Sequence, residues 1–398
     1  MRKALEGSQA IAQTVALCRP QVVAAYPITP QTHIVENIAK LVADGKMQCE
    51  LVSVESEFSA ASLVLGAACA GSRTYTASAS QGILLMSEVL YNIAGLRVPM
   101  VMTCANRAIS APLSIWNDQQ DSMAVRDAGW IQLYCADNQE AVDTTIQAYR
   151  IAEKTELPVM VCVDGFTLTH TLEPIDLPEQ EMVDNYLPKF NFKRVLDPAN
   201  PISIGTLVTP DFYSEVRHTH HHALLNALAE IEQANLDWQK VSGRSAGGLL
   251  SVDGPENAHI GILTIGSIYG TLSEARDESN DLPATKLIKL RAYRPFPAKA
   301  LRHACAGLTD LIVLERALSP GFGGIISSEV QAELASMKKI PRVHSFAVGL
   351  GGRDIPLSIF RTLHQKINVT DPQPFSIIDV ELEKLPAEDF GIDEVNHA

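Results

Sequence analysis

Hydrophobic runs alternate with longer amphipathic stretches along the first 165 residues of the chain. Short runs rich in apolar residues predict strands at Gln21–Ala25, Glu50–Val54, Arg73–Ala77, Pro99–Cys104, Gln132–Cys135 and Pro158–Val163. Stretches with helical periodicity predict helices at Thr32–Ala43, Glu57–Ala70, Ile83–Ala94 and Gln139–Lys154. This alternation is typical of parallel βαβ units and predicts an α/β fold with a doubly wound parallel sheet. Because ligands of such sheets bind beyond the carboxyl ends of the strands, a site is expected there.

The rest of the chain has a different pattern. Prolines accumulate from Thr167 to Pro210 and predict a long connection over the surface, followed by a helix over His218–Lys240. The stretch Ser251–Asn257 contains Asp-Gly-Pro, which predicts a turn and a linker. Beyond it, a shorter alternation predicts strands at Ile260–Ile265, Lys286–Leu290, Leu311–Leu314 and Arg342–Phe346. A chain of 398 residues is longer than one hydrophobic core usually supports, so we expect two domains. The first comprises residues 1–250, and the second is a smaller α/β domain at residues 257–398.

Charge and composition narrow the class of protein. The chain carries 46 acidic side chains against 32 Lys and Arg, a net charge of −14, so we expect no nucleic-acid partner. No uncharged apolar run reaches the roughly 18 residues of a membrane span, and the N-terminus lacks the apolar core of a signal peptide. The seven scattered cysteines include no Cys-x-x-Cys pair, which indicates a reducing, cytoplasmic location and no iron–sulfur cluster in this chain.

The first two predicted strands end in residues that suit either structure or function. Thr29 is a good cap for the next helix and Pro30 suits its first turn, whereas the preceding Tyr-Pro pair stiffens the strand exit and exposes backbone to a ligand. After the second strand, Glu55 and Glu57 lie at a helix N-terminus, where the dipole favours acidic residues. A carboxyl group in a dry site at this position can also hold a proton, because desolvation raises its pKa.

The residues that follow the next two strands also suit either a structural or a functional role. The small polar residues of Ala77–Gly82 allow close approach of a ligand but lack the glycine spacing of a dinucleotide or P-loop site. Arg107 follows a buried strand, where its planar guanidinium can clamp a carboxylate, although a solvated arginine is the commoner case.

Two other groups of residues have the chemistry of metal ligands. His218–His222 places histidines at i, i+4 spacing, but it has no neighbouring acidic or cysteine signature. Asp118, Asp121 and Asp127 stand close to Arg126, and turn caps and surface ion pairs explain them equally well. We therefore expect no metal site from either group.

Several stretches, taken in order, resemble one family. They are YPITP (Tyr26–Pro30), ESEFSAAS (Glu55–Ser62), TASASQG (Thr76–Gly82), ANRAISAP (Ala105–Pro112), Ile115–Tyr134, DGF (Asp164–Phe166), YRPFP (Tyr293–Pro297) and GLGGRD (Gly349–Asp354). Over nearly its whole length the chain resembles the alpha subunits of pyruvate:ferredoxin oxidoreductase, within the thiamine-diphosphate-dependent 2-oxoacid:ferredoxin oxidoreductases. The resemblance implies a thiamine pyrimidine-binding domain followed by a transketolase C-terminal-like α/β domain.

The resemblance also implies roles for individual residues. Glu57 matches the glutamate that bonds N1′ of the aminopyrimidine, where a shared proton helps the cofactor form its carbon nucleophile, and Glu55 falls outside the match. Arg107 matches the arginine that binds the substrate carboxylate, and Thr29 matches the threonine whose hydroxyl reaches the substrate. The other residues expected near the cofactor are Pro27, Ile28, Ser80 and Gln81.

A multi-subunit enzyme of anaerobic metabolism is implied as well. Its reaction is the reversible, CoA-dependent oxidative decarboxylation of pyruvate to acetyl-CoA and CO₂, with electrons passing to ferredoxin. The resemblance implies that thiamine diphosphate is shared with a beta subunit and that Mg²⁺ and [4Fe-4S] clusters lie in partner subunits, namely beta, gamma and delta. In agreement, the chain has no Gly-Asp-Gly stretch followed by a metal-binding Asn. The alternatives are another 2-oxoacid (oxalate, 2-oxoglutarate or a branched-chain acid) and a non-catalytic scaffold subunit.

Overall fold

The computed structural model describes residues 2–368 and 374–385, so residues 369–373 and 386–398 of the predicted second domain lie outside the described ranges. The strands are β1 (Arg2–Glu6), β2 (Val22–Ala25), β3 (Glu50–Ser53), β4 (Thr74–Ser78), β5 (Val101–Asn106), β6 (Ile131–Tyr134), β7 (Val159–Asp164), β8 (Leu172–Asp176), β9 (Leu250–Asp253), β10 (Ile260–Thr264), β11 (Thr285–Leu290), β12 (Ala292–Arg294), β13 (Asp310–Glu315), β14 (Arg342–Ala347) and β15 (Ser376–Ile377). The helices are α1 (Gly7–Leu17), α2 (Thr32–Ala43), α3 (Glu57–Cys69), α4 (Ser80–Leu85), α5 (Ser87–Gly95), α6 (Gln120–Ala124), α7 (Asn138–Thr155), α8 (Gln180–Tyr186), α9 (Pro210–Ser242), α10 (Ile268–Asp277), α11 (Ala298–Ala304), α12 (Ile325–Leu334) and α13 (Ile359–Lys366), with 3₁₀ turns at Leu350–Gly352 and Leu382–Lys384.

The larger sheet has the strand order β12-β6-β7-β5-β4-β2-β3. Strands β2 to β7 run parallel to one another, and they are the six strands that the sequence predicts for this part of the chain. Their carboxyl ends therefore share one edge of the sheet. The seventh strand, β12, pairs antiparallel with β6, although it comes from the stretch assigned to the second domain.

Apolar side chains of the larger sheet alternate between two hydrophobic cores. In β5, Val101 and Ala105 pack into one core, and Met102 and Cys104 pack into the other. Helices α1, α2 and α7 cover the first core, and α3 and α5 cover the second. Because helices cover both faces of a mainly parallel sheet, the predicted doubly wound α/β class is confirmed.

The second sheet has the order β15-β14-β13-β10-β11-β9, and all its strands are parallel except β9. Strand β9 contains Ser251–Asp253, so part of the predicted linker is an edge strand. One face of this sheet joins the second core of the larger sheet through Leu263 and Ile288. The two sheets thus share a hydrophobic core, which fixes their relative position.

Several predicted connections contain regular structure. The helix predicted over Ile83–Ala94 is divided at Met86 into α4 and α5. The long connection after Thr167 includes β8, which pairs antiparallel with the unpredicted β1, and the short helix α8. Helix α9 begins at Pro210, earlier than predicted, and Pro suits this first position because its missing N–H would have no partner within the helix. No helix in the described part of the chain is long and apolar enough to cross a membrane.

Candidate functional site

The segment that leaves β2, Tyr26–Gln31, forms one wall at the carboxyl edge of the larger sheet. Tyr26, Pro27 and Thr29 are exposed there, and Ile28 is half-buried against the first core. The prediction that Thr29 caps α2 is wrong, because the N-cap is Gln31 and Pro30 precedes it outside the helix. Within the described residues no side-chain bond forms at that cap, so the Thr29 hydroxyl remains available to a ligand.

Gln31 has a role that the sequence pattern did not indicate. Its side chain is buried, its Nε2 donates to the carbonyl oxygen of Ala77 at 2.8 Å, and its Oε1 accepts from the backbone N–H of Ile28 at 3.3 Å. The amide thereby ties the Tyr26–Gln31 wall to β4. A glutamine at the start of a helix is too common to have marked this contact in advance.

Glu57 lies at the start of α3, beside the exit of β4. Ser56 is the N-cap, whose Oγ accepts from the backbone N–H of Ser59, so the helix does not need Glu57 as a cap. The Glu57 side chain is only 7% exposed, yet its carboxylate has no hydrogen-bond partner among the described residues. Glu55, by contrast, is solvated and accepts a bond from Ser59 Oγ.

Gly82 makes room for the Glu57 carboxylate. A Cβ at position 82 would stand 2.7 Å from Oε1 of Glu57 and 2.3 Å from Oγ of Ser78. The Ser78 hydroxyl is itself buried without a partner in the described part of the chain. An unpaired buried hydroxyl is costly, and one that lies beside a carboxylate with no hydrogen-bond partner indicates that a polar ligand completes both groups.

Asp121 holds two of the predicted site segments together. Its fully buried carboxylate accepts the backbone N–H groups of Ser80 at 2.8 Å and Arg107 at 3.0 Å, and also Nδ2 of Asn106 at 2.8 Å. Burial raises the pKa of Asp121, and these hydrogen bonds oppose that rise. The sequence identified Asp121 only as one of a group of acidic residues. Its burial and these three hydrogen bonds show that it joins the ends of β4 and β5.

Ser80 adopts a left-handed backbone conformation with φ of 48°, which this network imposes. Its hydroxyl lies 2.5 Å from both the carbonyl oxygen of Ala108 and Oε1 of Gln81. Ser80 is buried and Gln81 is half-buried. The TASASQG stretch therefore joins β4 to the loop after β5, and Gln81 is the more accessible of the two predicted cofactor contacts.

Arg107 is only 7% exposed, so it is not the solvated arginine that would be commonest after a strand. Its Nε donates to the carbonyl oxygen of Ser114 at 3.1 Å and its Nη1 to that of Thr29 at 2.9 Å. Burial lowers the pKa of Arg107, and Asp121 opposes this effect. The Nη2 N–H groups have no partner among the described residues, which leaves one edge of the guanidinium free for an anion.

The loop that follows Arg107, residues 108–118, is closed by the second sheet. Asp118, near the end of this loop, accepts a bond from the backbone N–H of Gly351 at 3.4 Å, and burial raises the pKa of Asp118 to about 7. At Gly352 an added Cβ would lie 2.4 Å from Cβ of Trp116. The GLGGRD stretch thus presses on the loop whose Ser114 carbonyl positions Arg107.

Asp164, at the end of β7, joins the two sheets where their carboxyl ends meet. It is 1% exposed and accepts bonds from the backbone N–H of Ser267 at 2.8 Å and from Nε2 of Gln119 at 2.9 Å, with Nη1 of Arg316 at 3.3 Å. Ser267 follows β10 and Arg316 follows β13. The second sheet therefore forms part of the frame of the candidate site.

The histidines and aspartates that the sequence offered as metal ligands make other contacts. His218 and His222 stack with ring centroids 4.2 Å apart, but neither belongs to a group of three potential metal ligands in the described ranges. Asp127 is at the surface, where it pairs with Arg294 at 3.6 Å, while Asp118 and Asp121 bond to backbone N–H groups. The aspartates thus act as caps and ion-pair partners.

Comparison with family models divides the chain into two matched regions. Residues 13–235 match the model described as "Pyruvate flavodoxin/ferredoxin oxidoreductase, thiamine diP-bdg". Residues 258–359 match the model for "Pyruvate:ferredoxin oxidoreductase core domain II". The first region contains every site residue predicted from the sequence.

Curated relatives match along most of their length. The chain is 45% identical over 358 residues to pyruvate synthase subunit PorA of Methanosarcina barkeri, covering 89% of each chain. It is 46% identical to pyruvate synthase subunit PorA of Methanothermobacter thermautotrophicus, covering 89% of this chain and 92% of that relative.

A solved structure shares the fold. It is 2-oxoglutarate:ferredoxin oxidoreductase from Magnetococcus marinus with 2-oxoglutarate, coenzyme A and succinyl-CoA bound, at a TM-score of 0.71 and 22% identity. The match covers 92% of this chain and 65% of that chain, so this chain spans just under two thirds of that protein's length.

Proposed function

Because this chain belongs to the pyruvate:ferredoxin oxidoreductase family, we propose that it is the alpha subunit of a pyruvate synthase. The reaction is the reversible, CoA-dependent oxidative decarboxylation of pyruvate to acetyl-CoA and CO₂, with ferredoxin as electron acceptor. In this proposal residues 1–250 form the pyrimidine-binding domain and residues 257–398 form the second domain. The alpha chain supplies the groups that activate the cofactor and hold the 2-oxoacid.

One observation supports this proposal above the others: the Glu57 residue is only 7% exposed, and its carboxylate has no hydrogen-bond partner in the described part of the chain. A buried acid that served only the fold would be paired or hydrogen-bonded. Glu57 lies at the same sheet edge as Arg107, the arginine with a free guanidinium edge, and as the unpaired Ser78 hydroxyl. An acid and a cation left open at one edge suit a catalyst better than a scaffold.

The residues present fit the aminopyrimidine end of thiamine diphosphate. Glu57 would share a proton with the ring nitrogen, while Ser78 and Gln81 offer polar contacts and Ile28 and Pro27 offer an apolar wall. Thiamine diphosphate held by these residues would supply a carbon nucleophile for the 2-oxo carbon and an acceptor for the electron pair left by loss of CO₂. The chain's own contribution is to orient the ring, hold a proton at N1′ and exclude water.

Arg107 and Thr29 form the proposed substrate end. The Nη2 edge of Arg107 would hold the carboxylate of the 2-oxoacid, and the exposed Thr29 hydroxyl would reach its oxygen atoms. Both groups recognise the 2-oxoacid head and not its side chain. We favour pyruvate as the substrate because the curated relatives with 45–46% identity are pyruvate synthase subunits.

Other parts of the enzyme lie outside this chain in the proposal. A beta subunit holds the diphosphate with Mg²⁺, and [4Fe-4S] clusters lie in the beta, gamma and delta subunits. The seven cysteines are free and include no Cys-x-x-Cys pair, which supports placing the clusters in partner subunits. Free cysteines also agree with the proposed cytoplasmic location.

The test is a comparison of two glutamate variants in the assembled enzyme, purified after co-expression with its partner subunits. Pyruvate- and CoA-dependent reduction of ferredoxin or a viologen dye is the measurement. Glu57→Gln removes the shared proton and should lower kcat by at least about a hundredfold, whereas Glu55→Gln, at a solvated position, should retain activity. Normal turnover in Glu57→Gln would remove Glu57 from the mechanism and favour the scaffold alternative.

Arg107 is tested with the same assay and a panel of 2-oxoacids: pyruvate, oxalate, 2-oxoglutarate and a branched-chain acid. Arg107→Lys keeps the charge but loses the planar fork, so KM for the preferred acid should rise roughly tenfold to a hundredfold. The wild-type panel identifies the substrate. A preference for an acid other than pyruvate would correct the substrate while leaving the roles of Glu57 and Arg107 intact.

A further inference from the structure

A group of three potential metal ligands includes His33, two residues after the Tyr26–Gln31 wall, and has no part in the proposed reaction. Glu6 ends β1, His33 belongs to the first turn of α2, and His170 follows β7. One ligand atom from each side chain lies within 4.8 Å of the others. The geometry points to a zinc-type divalent cation site formed by Glu6, His33 and His170, which would fasten three elements of the first domain together.

The distances are close to those of a metal centre. Nδ1 of His33 lies 2.7 Å from Oε1 of Glu6, and the rings of His33 and His170 stack with centroids 4.4 Å apart. Ligand atoms at about 2.0–2.1 Å from a tetrahedral zinc are about 3.3 Å from one another. Bringing atoms that are at most 4.8 Å apart to that spacing requires side-chain movements of about 1 Å or a little more.

The chemistry of the three groups suits zinc. Two imidazoles and one carboxylate are a common protein ligand set for this ion, with water in the fourth position. The side chains of His33 and Glu6 are 45% and 29% exposed, which gives a cation a path of entry and leaves room for that water. An ion pair between Glu6 and His33 would explain two members of the group but not the third.

The position of His170 is fixed by its neighbours. Its Nδ1 lies 2.8 Å from Oγ1 of Thr169, and that oxygen accepts from the backbone N–H of Phe166 at 2.8 Å. The ring of Phe166 packs against His170 with centroids 4.6 Å apart. A metal-bound histidine usually donates its second ring N–H to an outer acceptor, and Thr169 is placed to accept it from Nδ1, so Nε2 of His170 would be the ligand atom.

The paired histidines on α9 provide a contrast. His218 and His222 stack as closely as His33 and His170, but no third ligand joins them within the described ranges. Any affinity of that surface pair for zinc should therefore be weak. His222→Gln is the matched control, because it removes one histidine of a stacked pair without touching the proposed site.

The experiment measures zinc in the assembled enzyme by atomic emission after equilibration with Zn²⁺ and a weak chelator. His33→Gln and His170→Gln should each lower the content by one zinc per copy of this chain, whereas His222→Gln should not. The glutamine amide at position 33 can still donate to Glu6, so the fold should be retained. Zn²⁺ should also raise the melting temperature of the wild type and of His222→Gln but not of the two site variants.

Each outcome decides the question. Loss of one zinc in both site variants, with the control unchanged, supports the site. Equal zinc in all four proteins, or loss only in His222→Gln, overturns it. Pyruvate turnover measured on the same samples is a separate readout, so failure of the zinc site and failure of the proposed function remain distinguishable.

Discussion

Gly82 controls the position of the proposed proton-holding acid. Its missing side chain leaves the space in which the Glu57 carboxylate and the Ser78 hydroxyl lie. The ESEFSAAS motif is what predicted a functional role for Glu57. Without that motif, the helix dipole alone explains a glutamate at the start of a helix. The sequence could not show that the carboxylate is unpaired, because pairing depends on side chains from β4 and α4 that are distant along the chain.

We predict that Gly82→Ala will lower kcat of the assembled enzyme on the order of a hundredfold, as displacements of about 1 Å can do. The new Cβ would stand 2.7 Å from Cγ of Glu57, so the carboxylate must move. Gly66→Ala is the matched control, since it lies in α3 with nothing within 4 Å of the added carbon. That variant should keep full activity and gain up to about 1 kcal/mol of helix stability. Equal activity in both variants would show that the Glu57 position is not critical.

At the scale of secondary-structure elements, prediction succeeded where the hydrophobic pattern alone decides whether a segment is a strand or a helix. Strands β4 to β7 are apolar runs buried on both faces, and the parallel arrangement of β2 to β7 follows from the helices between them. Prediction failed for β12 and β9, which are edge strands that pair antiparallel with strands far away in sequence. Helix α2 begins at Thr32 as predicted, but the prediction of a Thr29 cap failed because Gln31, whose side chain bonds to Ala77, occupies the N-cap position.

The contact between the GLGGRD stretch and the loop 108–118 leads to a prediction about substrate affinity. Gly352 has φ of 80°, and a Cβ there would stand 2.4 Å from Cβ of Trp116 and 3.2 Å from the backbone N of Asn117. Gly352→Ala should therefore displace the loop whose Ser114 carbonyl holds Arg107. We expect KM for the 2-oxoacid to rise about tenfold, which corresponds to the loss of one modest hydrogen bond.

Gly307→Ala separates this effect from backbone strain. Gly307 has φ of 83°, and nothing lies within 4 Å of an added Cβ. Both alanine variants should lose about 1–2 kcal/mol of stability from the left-handed conformation, and Gly352→Ala should lose more because of its contact with Trp116, which melting curves can compare. Only Gly352→Ala should change KM. The same rise in KM in Gly307→Ala would mean that general loosening of the second domain, and not the loop contact, controls the substrate end.

At the scale of the whole molecule, the two sheets behave as one frame because their carboxyl ends face each other across buried polar bonds. The shared core contributes non-directional packing, whereas Asp164 fixes the register between the ends of β7, β10 and β13. The DGF motif identified this aspartate by resemblance, but its partners could not be inferred. They are Ser267 and Arg316, more than 100 residues further along the chain.

Removal of the Asp164 carboxylate should therefore open the junction between the sheets. Asp164→Ala leaves the guanidinium of Arg316, which is 5% exposed, without its buried counter-charge, and such a loss costs about 3–5 kcal/mol. Hydrogen exchange of the assembled enzyme should show lost protection in the segment that contains the Ser267 amide, which donates to Asp164. The control is Asp184→Ala, which breaks an exposed ion pair with Arg19 and should leave exchange nearly unchanged. If Asp164→Ala keeps full protection at Ser267, the hydrophobic core alone holds the sheets together, and the charged junction is not what aligns their ends.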